Sequence, residues 1–229
     1  MTRVILFDID GTLLFTGGAG SRALAGAFEE LFGVGDALRG MSLAGRTDAG
    51  ILASLARSHG VTDALRLSRF RDAYLAHLAV ELPKPGPGKG LMPGIRALLD
   101  SLAARSDVHL ALLTGNYERG ARAKLEYFDL WRYFRGGAFG DEALDRLGLV
   151  PCALESVAAC GGPVAPGSAA IVVGDTPLDV ACAAAAGARS VAVATGGFSA
   201  EALRRAGAHV VFEDFSEPGA VIAELDRLP

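Results

Sequence analysis

The sequence predicts an α/β protein built on a doubly wound parallel sheet, with a helical segment inserted after the first strand. Three observations predict it. Short apolar runs recur along the 229 residues, and each ends in turn-forming residues. The runs are continuous rather than alternating, as strands covered on both faces require. Helical periodicity fills the intervals between the later runs, whereas residues 15–90 carry helical stripes and no convincing strand.

The first run is VILF at 4–7, and VHLALL at 108–113, AAIVV at 169–173, SVAVA at 190–194 and HVVF at 209–212 follow it. In PGIRALLDSLAARS, Ile95, Leu98, Leu99 and Leu102 repeat at helical spacing, and Pro93 sits where a first turn accepts proline. ERGARAKLEYF, CALESVAA and LDVACAAAAGA read as further helices.

Within 15–90, three stripes read as helices. Leu24, Phe28, Leu31 and Phe32 form one, and Ile51, Leu52 and Leu55 form a second behind possible caps at Thr47 and Asp48. Phe70, Tyr74, Leu78 and Leu82 form the third. PKPGPGKG at 83–90 closes the segment as a stiff linker. The expected organisation is a core of 1–14 and 91–229 with a small helical domain of 15–90. FTGGAGSRA at 15–23, rich in glycine, reads equally as a hinge or as a plain turn.

Composition narrows the function. Hydrophobic residues make up 51% and charged residues 21%, enough for a sizeable core and too apolar for disorder. The net charge of −4 comes without a basic stripe, so nucleic acid and anionic membranes are not expected partners. No apolar run nears the ~20 residues of a membrane span, and the N-terminal run is too short and too soon acidic for a signal peptide. Cys152, Cys160 and Cys182 form no metal or disulfide pattern and are expected as small core residues of a reduced, cytoplasmic protein. His59, His77, His109 and His209 show no metal spacing.

Ligands of open α/β sheets bind beyond the carboxyl ends of the strands. Asp8-Ile9-Asp10-Gly11-Thr12 follows the first run, Thr114-Gly115-Asn116 the second, and Gly174-Asp175-Thr176-Pro177-Leu178-Asp179 the third. Carboxylates, a hydroxyl and small residues therefore converge on one rim. Crowded carboxylates raise each other's pKa, and a hard divalent cation, Mg²⁺ most naturally, removes the conflict. Magnesium held by few protein ligands usually also holds a phosphate oxygen. A free carboxylate beside such a phosphoryl group can attack it.

DIDGT, LLTGN and VVGDTPLD, in that order after strands, resemble the motifs of the haloacid dehalogenase superfamily, over essentially the whole chain. The likeness is greatest to its phosphoglycolate phosphatase-like and β-phosphoglucomutase-like branch. It implies a Rossmann-like core, a helical cap over the site, and Mg²⁺-dependent hydrolysis of a small phosphorylated metabolite. Asp8 would be the nucleophile. Asp10 would be the acid and base, with its carbonyl helping Asp8 and Asp175 to hold Mg²⁺. Thr114, Gly115 and Asn116 would bind phosphate, and Asp179 would support a neutralising cation. The family usually supplies that cation as a lysine between the second and fourth motifs. Lys124 stands too early for that position, so Arg146 is expected to take the role, with Arg135 the next choice. Arg46 and Thr47, before a cap helix, are expected to meet substrate or simply to start that helix. A sugar phosphomutase and a non-catalytic phosphate-binding regulator remain alternatives. A haloalkanoate dehalogenase would not need Asp10, and a phosphonate hydrolase would be expected to have a cap lysine, which 17–82 lacks.

Overall fold

The computed structural model describes residues 2–141 and 143–228. Met1, Glu142 and Pro229 fall inside the expected core domain but outside the described residues. Strand β1 (Arg3–Phe7) leads into a two-residue strand β2 (Leu14–Phe15), then helices α1 (Ala19–Phe32), α2 (Asp48–Ser58) and α3 (Ala64–Glu81). The chain returns through β3 (Gly90–Leu91), α4 (Ile95–Ala103), β4 (Val108–Leu113), α5 (Glu118–Tyr127), β5 (Gly137–Ala138) and α6 (Leu149–Ala159). It ends with β6 (Ala170–Gly174), α7 (Pro177–Ala185), β7 (Arg189–Val193), α8 (Ala200–Arg205), β8 (Val210–Phe212) and α9 (Pro218–Arg227). No described helix is long and apolar enough to cross a membrane.

The main sheet runs β5-β4-β1-β6-β7-β8, and every pair in it is parallel. Side chains along β1 alternate between two cores. Ile5 and Phe7 join Ile95, Leu98, Leu99 and Leu102 of α4 on one face. Val4 and Leu6 join Leu149, Val150 and Val157 of α6 on the other. Each fully buried side chain of this size contributes roughly 1.5–3 kcal/mol of apolar burial, which explains why these strands read as unbroken apolar runs. The strand order reverses beside β1, where an open sheet leaves a crevice at its carboxyl edge. Phe7 pairs with Leu112 on one side and Val173 on the other. That register brings the residues after β1, β4 and β6 level with one another.

α1, α2 and α3 pack around Phe28, Leu55, Phe70, Tyr74 and Leu78, a cluster separate from both faces of the sheet. The two connectors to this unit lie side by side. β2 and β3 pair antiparallel, and a Cβ on Gly86 would meet the Gly17 carbonyl at 2.2 Å. This short ladder and β5 are the strands that the sequence did not announce, because two-residue strands carry no periodicity.

Three local expectations need correction. Pro93 lies before the Gly94 cap of α4 rather than in its first turn. Gly20 belongs to α1, and only Gly17 and Gly18 of the glycine-rich loop have positive φ. Cys152 and Cys160 are exposed, and only Cys182 is a core residue. Both exposed thiols lie in or directly after α6, on its solvent side.

Gly94 has φ +74°, and a Cβ there would fall 1.7 Å from the Phe215 carbonyl oxygen. Gly207 has φ +93° with nothing within 4 Å. Gly207→Ala should therefore cost only the left-handed strain, about 1–2 kcal/mol. Gly94→Ala should cost clearly more, because two backbone segments must separate. Urea unfolding of both variants against the parent checks the difference.

Candidate active site

The carboxyl edge of β1, β4 and β6 forms the floor of a cavity of about 280 Å³, and the helical unit forms its roof. Asp8, Asp10, Thr114, Gly115, Asn116, Arg146 and Asp175 all line it. Asp8 leaves β1 with its N–H on the Val173 carbonyl, 2.9 Å away. Asp8, Asp175 and Asp179 each offer a carboxylate oxygen within 4.8 Å of the others, and all three are buried. Glycines make that crowding possible. A Cβ on Gly196 would fall 1.7 Å from Asp175 Oδ2, and one on Gly174 would fall 2.1 Å from Asp179 Cγ.

Arg146 is the counter-charge. Its Nη2 lies 2.9 Å from Asp8 Oδ1 and 2.6 Å from Asp179 Oδ1. The Asp179 contact is an ion pair that misses hydrogen-bond alignment, so Asp179 Oδ1 has no hydrogen-bond partner among the described residues, and Arg146 Nε likewise has none. The main chain at Arg146 is tied down through its carbonyl, which accepts from Cys182 Sγ at 2.9 Å. Asp179 is fixed by the start of α7, where its Oδ2 accepts from the Thr176 N–H at 3.0 Å and hydroxyl at 2.7 Å. This is a capping box, so the residue that opens the helix also aims the arginine. Arg135 is elsewhere: its N–H donates to Leu110 in the middle of β4 and its side chain is exposed.

One guanidinium does not balance three buried carboxylates. Burial, with Asp179 and Asp10 adding to it against Arg146, pushes Asp8 up to about 6. Burial, Asp8 and Asp179 push Asp175 up to about 8. The ligand atoms are all oxygens, the set that suits a hard divalent cation. The residues present therefore fit such an ion on charge and on donor chemistry.

Lys124, which spacing placed too early, is in the site. It is 4% exposed. Its Nζ donates to Asp10 Oδ2 and to Asn116 Oδ1, both at 2.6 Å. Asn116 Nδ2 donates in turn to Asp10 Oδ2 at 2.9 Å and Thr114 Oγ1 at 2.7 Å. Asn116 thus aims Asp10 and Thr114, and its side chain is committed to them rather than to an incoming anion. Thr114 Oγ1 accepts from Asn116 twice, which leaves its own proton to donate. The signal for Lys124 was four-residue spacing: Gly120 and Lys124 share one face of α5, and Asn116 stands four residues before Gly120, just ahead of the helix.

The roof meets the floor through backbone. Asp48 N–H donates to the Gly115 carbonyl at 2.7 Å, and Ala49 N–H to Gly140 at 3.3 Å. A Cβ on Gly115 would fall 2.1 Å from the Arg46 carbonyl. Thr47 does not line the cavity; its hydroxyl caps α2 by accepting from the Gly50 N–H at 3.1 Å. Arg46 lines the cavity, but its guanidinium folds back onto the Gly50 carbonyl at 3.2 Å and Ser54 Oγ at 2.5 Å. Asp48 is the residue of that turn which the sequence left as a cap and the structure buries in the cavity wall. Burial, against the pull of Lys124, pushes it up to about 6.

A family model of haloacid dehalogenase-like hydrolases matches residues 5–184. A phosphoglycolate phosphatase of Rhodospirillum rubrum is 34% identical over 232 aligned positions, covering 96% of this chain and 90% of that protein. A β-phosphoglucomutase structure from Clostridium difficile matches with a TM-score of 0.75 at 15% identity, over 99% of this chain and 98% of that one. The structure of a predicted phosphoglycolate phosphatase from Haemophilus somnus matches with a TM-score of 0.72 at 17% identity, over 96% and 98%. At these identities the two structures support the fold.

Buried carboxylates with raised pKa values reverse the usual pH dependence of stability. Asp8 and Asp48 near 6 and Asp175 near 8 hold protons in the folded state that the unfolded chain gives up near 3.8. Their contribution is complete below that pH and is lost as pH rises through 6 and then 8. Asp107, lowered to about 2 by Arg105, acts oppositely but has finished titrating by about pH 5. The thermal midpoint of chelated protein should therefore fall steadily between pH 5 and pH 8.5, as differential scanning fluorimetry in EDTA would measure.

Proposed function

The chain belongs to the haloacid dehalogenase-like hydrolase family, and from that premise we propose that it is a Mg²⁺-dependent phosphatase of small phosphomonoesters working through an aspartyl phosphate on Asp8. The observation that carries the reading is the placement of Asp8: a buried carboxylate at the tip of the central strand, 2.9 Å from Arg146, on the floor of the cavity beneath the helical unit.

Asp8 attacks phosphorus as the ester P–O bond breaks. Asp10, held by Lys124 and Asn116, gives its proton to the departing alcohol oxygen. A water then attacks phosphorus while Asp10 takes a proton from it, and the bond between phosphorus and Asp8 breaks to release phosphate and the free carboxylate. Thr114 donates its hydroxyl proton to a phosphoryl oxygen. Arg146 adds fixed positive charge, and its unpartnered Nε–H is a buried donor of the kind an anionic oxygen satisfies. Asp8, Asp175 and the Asp10 carbonyl would hold Mg²⁺, which supplies the charge neutralisation that Arg146 alone cannot.

Residues 15–90 act as a cap on a core of 1–14 and 91–229. The paired β2 and β3 connectors are its stem, and the backbone contacts of Asp48 and Ala49 are its seat. A seated cap excludes water from the first step. The substrate is a small soluble metabolite, and the setting is the cytoplasm, where such metabolites arise and the exposed thiols of Cys152 and Cys160 stay reduced.

With Mg²⁺ the protein should release phosphate from a panel of small phosphomonoesters, and EDTA should abolish release. Asp8→Asn keeps the shape of the nucleophile but should lose ~10³-fold or more in kcat. Release by Asp8→Asn at the parent rate would sink the mechanism. Lys124→Met should lower kcat by about 10²-fold, because Asp10 loses the partner that aims its carboxyl; steady-state kinetics on the best substrate reads this directly.

A further inference from the structure

The inference concerns the leaving alcohol and rests on the phosphatase reading above. The phosphoryl group belongs at the floor with Asp8, Thr114 and Arg146. The alcohol must then point at the roof. Much of that wall is apolar: Phe15, Leu24, Leu43 and Ile51 face the cavity. Two polar groups stand among them. Asp48 Oδ2 accepts the Tyr117 N–H at 2.8 Å, while Oδ1 has no partner among the described residues. Tyr74 is 1% exposed and lines the same wall, and its hydroxyl has no hydrogen-bond partner among the described residues. Burial, with Asp48 and Asp10, holds the Tyr74 hydroxyl protonated at any working pH.

Two of the three cations that line the cavity are paired with carboxylates, and the third, Arg46, is turned onto its own helix. Lys124 is shared between Asp10 and Asn116. Arg46 is folded onto Gly50 and Ser54 of α2. Arg146 lies at the floor between Asp8 and Asp179. An anionic leaving group would therefore enter a low-dielectric wall against Asp48, while the guanidinium of Arg46, the one cavity cation without a carboxylate partner among the described residues, is turned onto Gly50 and Ser54; like charges brought together without water exclude a ligand strongly. A hydroxyl fits instead: it donates to Asp48 Oδ1 and accepts from Tyr74, which satisfies two buried polar groups at once.

We propose that Asp48 and Tyr74 select phosphomonoesters whose leaving alcohol is uncharged and bears hydroxyl groups, and that Asp48 excludes esters carrying a second anionic group. Phosphoglycolate is disfavoured on this ground, because its carboxylate sits one carbon from the ester oxygen. A sugar bisphosphate, the species a phosphomutase must turn round in its site, is disfavoured on the same ground. The substrate class is a short polyol or monosaccharide monophosphate.

The test compares kcat/KM, with saturating Mg²⁺, for glycerol 1-phosphate, a hexose 6-phosphate, 2-phosphoglycolate and p-nitrophenyl phosphate. The better of the two neutral polyol esters should exceed phosphoglycolate by about tenfold or more. Asp48→Asn places an amide where a carboxylate faced the alcohol, and should narrow or reverse that ratio. Tyr74→Phe should raise KM for the polyol ester more than for p-nitrophenyl phosphate, which brings no hydroxyl. A ratio of two substrates does not depend on the folded fraction of a variant. Phosphoglycolate as the better substrate of the parent, or an unchanged ratio in Asp48→Asn, overturns the inference and leaves the phosphatase reading standing. Failure to turn over any ester, p-nitrophenyl phosphate included, overturns the phosphatase reading and this inference with it.

Discussion

Three carboxylates and one guanidinium are buried together at the tips of a parallel sheet, and much of the molecule is arranged to permit it. Asp8, Asp175 and Asp179 would repel one another out of any site that could relax. They stay because backbone holds them. Asp8 continues a central strand paired on both sides. Asp179 is locked in the capping box of α7. Asp175 is walled by Gly11 and Gly196, where a Cβ would strike its carboxyl. Arg146 lessens the excess negative charge without cancelling it, so the cluster is built to take up further positive charge.

The same economy of backbone brings the cap to the core. The first turn of α2 lies against Thr114-Gly115-Asn116 with no side chain between the two chains, and its N–H groups reach core carbonyls directly. Helix N-termini carry donors that nothing inside the helix can satisfy. Here Gly115 satisfies one of them and Gly140 another. On the proposed reading, phosphate binding and cap seating therefore share the Thr114-Gly115-Asn116 loop, and a shift in Gly115 moves both.

Much of this was legible in the sequence because the physics is local. Buried parallel strands must be continuous apolar runs, and DIDGT, LLTGN and GDTPLD each lie within a few residues of the strand that aims them. Arg146 was legible only through the family resemblance. Lys124 and Asp48 were not, for different reasons. Lys124 reaches Asp10 from two turns along α5, through space that Gly20 of α1 leaves open, since a Cβ there would fall 3.3 Å from Nζ. Asp48 looks like an ordinary acid in the first turn of a helix, the place where helix dipoles favour it. Only the docking of α2 turns it toward the cavity. Thr47 shows the converse: a residue in a suggestive stretch whose hydroxyl is consumed by its own helix.

On the proposed phosphatase reading, the distribution of charge across the cavity then fixes the direction in which a substrate can lie. At the floor, the carboxylates become compatible with an anionic phosphoryl group only once a metal joins Arg146, so that end accepts anions only after its own deficit is filled. At the roof, Asp48 stands in the field of Lys124, already bound to Asp10 and Asn116, while Arg46 is turned onto Gly50 and Ser54. An ester with one anionic group and one uncharged end therefore has a single favourable orientation, phosphoryl group down. That orientation places the departing oxygen next to Asp10, the half-exposed acid between the two ends. On the same reading, a substrate with anions at both ends would set one of them against Asp48. The polarity of the cavity thus connects the burial of three carboxylates beneath it to the chemistry of the alcohol above.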